Sequence, residues 1–463
     1  MKRPAHGRRW MERLFPALRW WPALVVFCAP AAGGCGESKR FFDLHMANDP
    51  KAQAKARWEA VRGSVKLQLA EEHLKSGRLV EAERSLEEAL ALCPNDAKAF
   101  VVATRLRLEQ GRLAEAREAI TVAAALSDND PEIPYFAGLV AQRYGDLESA
   151  CEYFSAASRT SPHVATYVLS QAETLVNLDR PVEALELLQS RMNDFDRDVA
   201  MRMLAARISR ILGLRGPAVA YCREALRISN ESPLLSAELG MMLVWAEQFH
   251  DAIAVLAPLV ERKGAARGSE KDPGEKPAAS AARALARAYL ETDQGVKAIE
   301  VLRSVLEANP EDTVAWSLCA RAALMVGRLE TLDEALSKIE AQGAATAETR
   351  MMTGFAALRR GDFVRARNEA AGALILDARL TLAHYLAGQA AEAMGELDAA
   401  RASYEAVLEI DPDSTIARRR IDGLDGSSET APPAVSPADD AGSVKSNLHH
   451  VIGSACPPEE AVP

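Results

Sequence analysis

The chain has 463 residues, of which 5% are aromatic and 26% charged, and its formal net charge is −10. So few aromatics exclude a core built from a handful of large side chains; many small ones must be buried between closely packed helices. The acidic balance excludes a general nucleic-acid binder, which would carry a basic footprint.

The N-terminus departs from that acidity. Lys2, Arg3, Arg8, Arg9, Arg13 and Arg19 stand against one acid, Glu12, and an apolar stretch from Trp20 to Ala32 runs into Gly33-Gly34-Cys35. A basic, then apolar, then small-residue succession is the layout of an export signal, and it is too short to span a bilayer as a helix. Ala32-Gly33-Gly34 before Cys35 resembles a bacterial lipoprotein box. That predicts a signal peptide over 1–34, lipidation at Cys35 and a tether over 35–47. An ordinary cleaved signal, or a start at Met11, are the alternatives. Asn48-Asp49-Pro50 is a cap-and-start signal and predicts a lead-in helix over 48–62.

From residue 63 the chain repeats itself. Windows of 34 residues start at 63, 97, 131, 165, 199 and 233, and four more start at 279, 313, 347 and 381. Position 8 is small in nine units (Ala70, Gly138, Ala172, Ala206, Gly240, Ala286, Ala320, Gly354, Gly388), with Thr104 the exception. Position 20 is Ala in all units but the eighth, which has Leu332. Both are points where the two helices of a unit approach most closely. Position 24 is mostly large and apolar, as in Leu86, Phe154, Leu256 and Tyr404. Position 15 is Gly in seven units, where a positive φ ends the first helix. Pro94, Pro162, Pro310 and Pro412 close second helices at position 32. The fourth unit is irregular, with Asp179 at the turn and Arg191 at position 27.

Units 1 to 6 therefore span 63–266 and units 7 to 10 span 279–414. Between them 267–278 is charged and rich in Gly and Pro, which predicts an exposed, flexible loop. A basic segment over 415–425 predicts a capping helix with a polar outer face, and 426–463 lacks any apolar period and is expected to be disordered.

Small-8, Gly-15, Ala-20, bulky-24 and Pro-32 in a 34-residue frame resemble the tetratricopeptide repeat family, and Trp316 occupies that family's usual position 4. The resemblance covers about three-quarters of the chain. It implies an all-α, right-handed superhelical solenoid of about ten helix pairs, with first helices lining a concave groove through positions 2, 5, 9, 12 and 13. Those positions carry Arg207, Arg210, Arg283, Arg287 and Arg321, a basic patch suited to a carboxylate-bearing partner. They also carry Tyr135, Leu139, Met203, Met241, Trp245, Met351, Phe355 and Tyr385 as apolar anchors. Family members that bind chaperone tails use Lys at position 5 and Asn at position 9 of the first unit. Leu67 and Glu71 stand there instead, so that activity is not implied.

No nucleophile elbow, phosphate loop, dinucleotide fingerprint or zinc-protease motif is present. Cys93, Cys151, Cys222 and Cys319 have neither metal-ligand spacing nor a disulfide pattern and read as small apolar core residues. His449-His450 with Cys456 lack ligand spacing, so neither a metal nor any cofactor is expected. Arg360-Gly361-Asp362 spells an adhesion tripeptide, but Gly361 is simply the repeat's turn. The expectation is a non-enzymatic scaffold for other proteins. It would be held by a lipid anchor in the bacterial cell envelope, facing the periplasm with the outer membrane favoured, and would not bind nucleic acid. An anchor plus such repeats resembles the assembly and pilot factors of secretion, pilus and polysaccharide-export machines, so a role of that kind is the expectation. A cytosolic or membrane-associated adaptor, or a regulatory subunit presenting partners to an enzyme, is the alternative.

Overall fold

A computed structural model describes residues 50–127, 129–230, 232–265, 275–344 and 346–426. The signal over 1–34, Cys35, the tether over 35–47, most of the expected loop over 267–278 and nearly all of the expected tail over 426–463 lie outside the described residues. Among the described residues there are 21 helices and no strand. They fall into two bodies, up to residue 128 and from residue 129.

The N-terminal body holds α1 (Pro50–Lys75), α2 (Leu79–Leu92), α3 (Ala97–Glu109) and α4 (Leu113–Leu126). The expected lead-in helix is not separate; it is continuous with the first helix of unit 1. Gly63, its one potential breaker, is buried, and a Cβ there would lie 2.6 Å from the Cys93 sulfur. The glycine therefore serves a close approach to α2, and nothing else in the Ala-rich run interrupts the helix.

The C-terminal body continues with α5 (Glu132–Arg143), α6 (Leu147–Thr160), α7 (Ala165–Asn177), α8 (Pro181–Arg191), α9 (Val199–Ile211), α10 (Arg215–Ile228), α11 (Pro233–Trp245) and α12 (Phe249–Ala265). It then runs through α13 (Glu275–Glu291), α14 (Gly295–Ala308), α15 (Thr313–Val326), α16 (Leu329–Ala341), α17 (Ala347–Arg359), α18 (Phe363–Leu376), α19 (Thr381–Ala393), α20 (Leu397–Ile410) and α21 (Thr415–Gly426). Residues 275–278, read from composition as loop, are the start of α13, with Pro277 tolerated in its first turn. The irregular fourth unit has the shortest second helix, α8, of 11 residues.

One turn geometry recurs in all ten units. Gly at position 15 has a positive φ in seven of them, and Asp179 (59°), Glu247 (62°) and Asp293 (59°) adopt the same left-handed conformation in the other three. In every unit the position-16 amide donates to the carbonyl of position 11, as in Arg78 to His73 (2.9 Å) and Gln294 to Tyr289 (2.7 Å). This six-to-one bond satisfies a carbonyl that the helix end leaves open.

Within units, position 8 is small because position 24 lies over it. A Cβ on Gly138 would stand 2.6 Å from the Phe154 ring, one on Gly240 2.3 Å from Leu256, and one on Gly388 2.5 Å from the Tyr404 ring. In unit 9 position 24 is only Ala370, and Leu386 of the next unit fills the space, 2.4 Å from a Cβ on Gly354. Position 4 also has a recurring task. The indole of Trp316 donates to the Pro310 carbonyl at 2.8 Å, the His384 ring meets the Ala378 carbonyl at 3.0 Å, and Arg418 donates to the Pro412 carbonyl. Each binds the turn that leads into its own helix.

Helix α21 is held at the end of this stack. The Tyr404 hydroxyl and Arg420 both donate to Glu392, at 2.8 and 3.4 Å, and Ala417 is fully buried. Burial and the Glu392 carboxylate push the Tyr404 phenol up, so it stays a donor.

Candidate protein-binding surface

In the C-terminal body the first helices α7 and α9, and α11, α13, α15, α17 and α19 in succession, touch one another directly, whereas second helices do so little. Within the C-terminal body the first-helix layer is therefore the more closely spaced, which is the condition for a concave face. Which side chains reach that face depends on the neighbours.

Several residues expected there are core. Arg321 is 7% exposed and lies between Glu291 at 4.0 Å and Glu348 at 3.7 Å, so α13, α15 and α17 share it as an internal cation. Phe355 and Tyr385, each 3% exposed, and Met351 are buried as well. Tyr385 packs its ring 5.6 Å from Tyr404. The reason lies in the sequence around them. Positions 10 and 11 of units 8 to 10 are alanine pairs (Ala322-Ala323, Ala356-Ala357, Ala390-Ala391), all buried, and such small contacts let neighbours close over positions 5 and 9. Arg283 is also engaged, through a 2.7 Å ion pair with Asp312, the N-cap of α15. Tyr135 is half-buried in an aromatic cluster, 5.4 Å from Phe136, 5.7 Å from Phe154 and 5.0 Å from Tyr167. Leu139, one turn further along α5, is half-buried.

The remaining candidates form the open part. On α9, Arg207 is exposed while Met203 and Arg210 are half-buried; on α11, Met241 and Trp245 are half-buried; on α13, so is Arg287. Arg207, Arg210 and Arg287 make no ion pair with another described residue. Helices α9 and α11 approach each other little directly, which leaves Arg207 exposed and Met203 and Met241 only partly covered. Two residues at groove positions escaped the sequence reading. Ile211 at position 13 and Leu234 at position 2 are each 57% exposed. Their signal was available: both are branched apolar residues at positions the resemblance already named.

Arg202, at position 4 of unit 5, anchors the turn before α9. It is 6% exposed, donates to the Phe195 carbonyl and to the Asp198 carbonyl at 3.2 Å, and reaches Glu224 at 3.7 Å. This lashing fixes the irregular stretch after α8 and with it the orientation of α9.

Among the described residues no three His, Cys, Asp or Glu side chains come together as a metal site, and no helix is long and apolar enough to cross a membrane. An open cleft of about 450 Å³ is lined by Cys151, Gln171, Leu175, Arg180, Glu183 and Leu187. Burial raises the Cys151 thiol, and Arg180 is already bound to Glu183 at 2.6 Å, so the cleft holds neither a thiolate nor a spare cation. Burial pushes Cys222 up to about 12 and Cys319 to about 11. These are core thiols.

Comparison with known proteins agrees with this architecture. Family models described as tetratricopeptide repeat match residues 73–143 and 269–322, and a second such model matches 381–414. No curated protein matches the chain significantly. Among solved structures, a tetratricopeptide repeat protein from Parabacteroides merdae is 16% identical, with 56% of this chain and 98% of that one covered at a TM-score of 0.40. Pseudomonas aeruginosa pilF is 15% identical, with 46% and 95% covered and a TM-score of 0.39. PilW, a type IV pilus biogenesis factor, is 20% identical, with 42% and 91% covered and a TM-score of 0.37. The helix pairs, the ten-fold register of turn and contact positions and the matched segments together support the tetratricopeptide repeat family for this chain.

Proposed function

We propose that the protein is a non-catalytic scaffold that holds a partner segment against α9, α11 and α13. The observation that carries this is the presence on α9 and α13 of three arginines without ion-pair partners, together with exposed Ile211 and Leu234 and half-buried Met203, Met241 and Trp245 on α9 and α11. A segment that alternates carboxylates with large apolar side chains fits both characters. Arginine is suited to the charged half because its fork grips a carboxylate with two parallel bonds. Arg283, Arg321, Phe355 and Tyr385 do not take part, because they already have internal work.

The test is binding of a fluorescein-labelled peptide in which Asp alternates with Leu and Phe. Arg207→Glu with Arg287→Glu should weaken it about tenfold to a hundredfold without changing helicity, the magnitude expected when charge-assisted contacts turn repulsive. Unchanged binding would reduce the arginines to solvated surface. Arg283 is unsuitable for this experiment, since its loss uncouples Asp312 rather than a ligand.

Our reading extends to an anchor in the bacterial cell envelope through lipid on Cys35, and to a part in assembling a secretion, pilus or polysaccharide-export machine. What supports the anchor is the basic, apolar and small-residue succession before Cys35. Metabolic labelling with clickable palmitate should mark the wild-type chain and not Cys35→Ser. An unlabelled wild-type protein that fractionates as soluble would favour the adaptor reading instead.

A further inference from the structure

The first four turns of α1 carry a surface with no counterpart among the other described residues. Trp58, Val61 and Val65 are 62%, 56% and 55% exposed. Their spacing of three and four residues sets them along one side of the helix. Gly63, Leu67, Ala70 and Leu74 form the opposite side and pack against α2 and its neighbours. Before Glu59 no described side chain of α1 is even half-buried, so this part of the helix projects from the body.

The charges around the stripe are one-sided. Residues 50–66 contain Lys51, Lys55, Arg57, Arg62 and Lys66 against a single acid, Glu59, in a chain whose net charge is −10. Lys55 and Arg62 stand three and four residues from Trp58, Arg62 three from Val65, and Arg57 four from Val61, so cations flank the stripe on both sides. Lys66 is bound to Glu88 at 2.5 Å, and Lys55 lies 3.8 Å from Glu59 on the exposed surface.

We propose that this face of α1 lies on an anionic lipid surface. Trp58 and the two valines would sit at the headgroup boundary, and Lys55, Arg57 and Arg62 would meet lipid phosphates. A tryptophan with branched aliphatics and a basic rim is the composition of a helix lying in the membrane interface. A second copy is the less suitable occupant, because pairing two such faces brings like charges together. The stripe is also a ridge of exposed side chains, which suits a deformable surface better than a partner's anchoring side chain. The proposal deepens the envelope reading but does not require lipid on Cys35.

The experiment uses the full chain with vesicles of phosphatidylcholine, with and without phosphatidylglycerol. The apolar N-terminal stretch is the same in wild type and in Trp58→Glu with Val65→Glu, so their difference reports α1 alone. The variant should fold unchanged by circular dichroism, since both sites are exposed. It should partition onto the anionic vesicles about tenfold less. The difference in emission between wild type and Trp58→Phe should be quenched by brominated acyl chains. Equal partition of the two proteins and an unquenched Trp58 would overturn the proposal. So would a wild-type dimer that the variant dissolves, which would assign the stripe to a second copy. Vesicle binding by Cys35→Ser that still depends on Trp58 would uphold this inference even where palmitate labelling had failed. Labelling without any effect of Trp58 would do the reverse.

Discussion

Units 5 to 7 and units 8 to 10 place the same repeat positions in opposite surroundings. On α9, positions 5, 9 and 12 hold Met203, Arg207 and Arg210, and on α11 position 9 holds Met241, all at least partly open to solvent. On α15, α17 and α19 the same positions put Arg321, Phe355 and Tyr385 among buried groups. A position list inherited from a repeat is therefore a list of candidates. The residues at positions 10 and 11 differ between the two regions. Ile208-Ser209 and Met242-Leu243 occupy them in units 5 and 6, and alanine pairs in units 8 to 10.

The strongest way to break this comparison is to remove the internal cation. Arg321→Ala leaves Glu291 and Glu348 facing one another with side chains 11% and 30% exposed. A lost partner of that kind costs about 3–5 kcal/mol, toward the low end because Glu348 keeps some solvent. Urea unfolding should show it, while Arg207→Ala, at an open position, should stay within about 0.5 kcal/mol. Equal effects at the two sites would mean that the regions do not differ.

The second test contrasts buried thiols in the two regions. Cys222 in α10 and Cys319 in α15 are held near 12 and 11, against an ordinary 9.0, by burial first of all. A folded-state value above the unfolded one means the fold keeps the proton longer. Its contribution is complete below pH 9 and disappears as pH rises toward the folded value. From pH 9 to 11, Cys222 alone should cost on the order of 2–3 kcal/mol, and Cys222→Ala should flatten that slope even if its starting stability is lower. Cys319 should show the weaker dependence. Denaturant midpoints measured at successive pH values decide it.

Much of the fold was legible because its signals are local. A turn that needs a positive φ selects glycine, and a helix crossing selects a small residue, so Gly77, Gly111, Ala82 and Ala116 set the register by themselves. The candidate binding face was only partly legible. Arg287 and Arg321 occupy the same position in adjacent units, yet one is half-buried without an ion pair and the other is enclosed by two carboxylates from other units. That distinction is a property of stacking and leaves no mark within 34 residues. The continuity of α1 through Gly63 was hidden for a similar reason, since only contact with Cys93 shows why a glycine there does not end a helix.

The inner contact of each pair should be indifferent to region. Gly240 lies in the open part and Gly388 in the closed part, yet a Cβ would meet Leu256 at 2.3 Å in one and Tyr404 at 2.5 Å in the other. Both large partners are fully buried. Gly240→Ala and Gly388→Ala should each cost about 1–3 kcal/mol by forcing those side chains aside, despite alanine's better helix propensity. Thermal unfolding of the pair sharpens the comparison. Similar losses would confine the regional difference to the first-helix face, and a loss at Gly388 alone would extend it into the pair itself.

The smallest expected effect has the opposite sign. Asp179 holds the left-handed turn of unit 4 at φ 59°, where seven units use glycine, and its amide still donates to the Val176 carbonyl at 3.0 Å. Aspartate tolerates this conformation better than most residues, but its Cβ still crowds the backbone. Asp179→Gly should therefore stabilise the chain by about 0.5–1 kcal/mol, reduced by the freedom glycine gains when unfolded. Because α8 is short and the stretch after it is held by Arg202, unit 4 is where such a gain should also slow amide exchange locally, in α7 and α8. No gain in Tm would mean that the aspartate is already at ease in the turn, and that the irregularity of unit 4 arises after α8 instead.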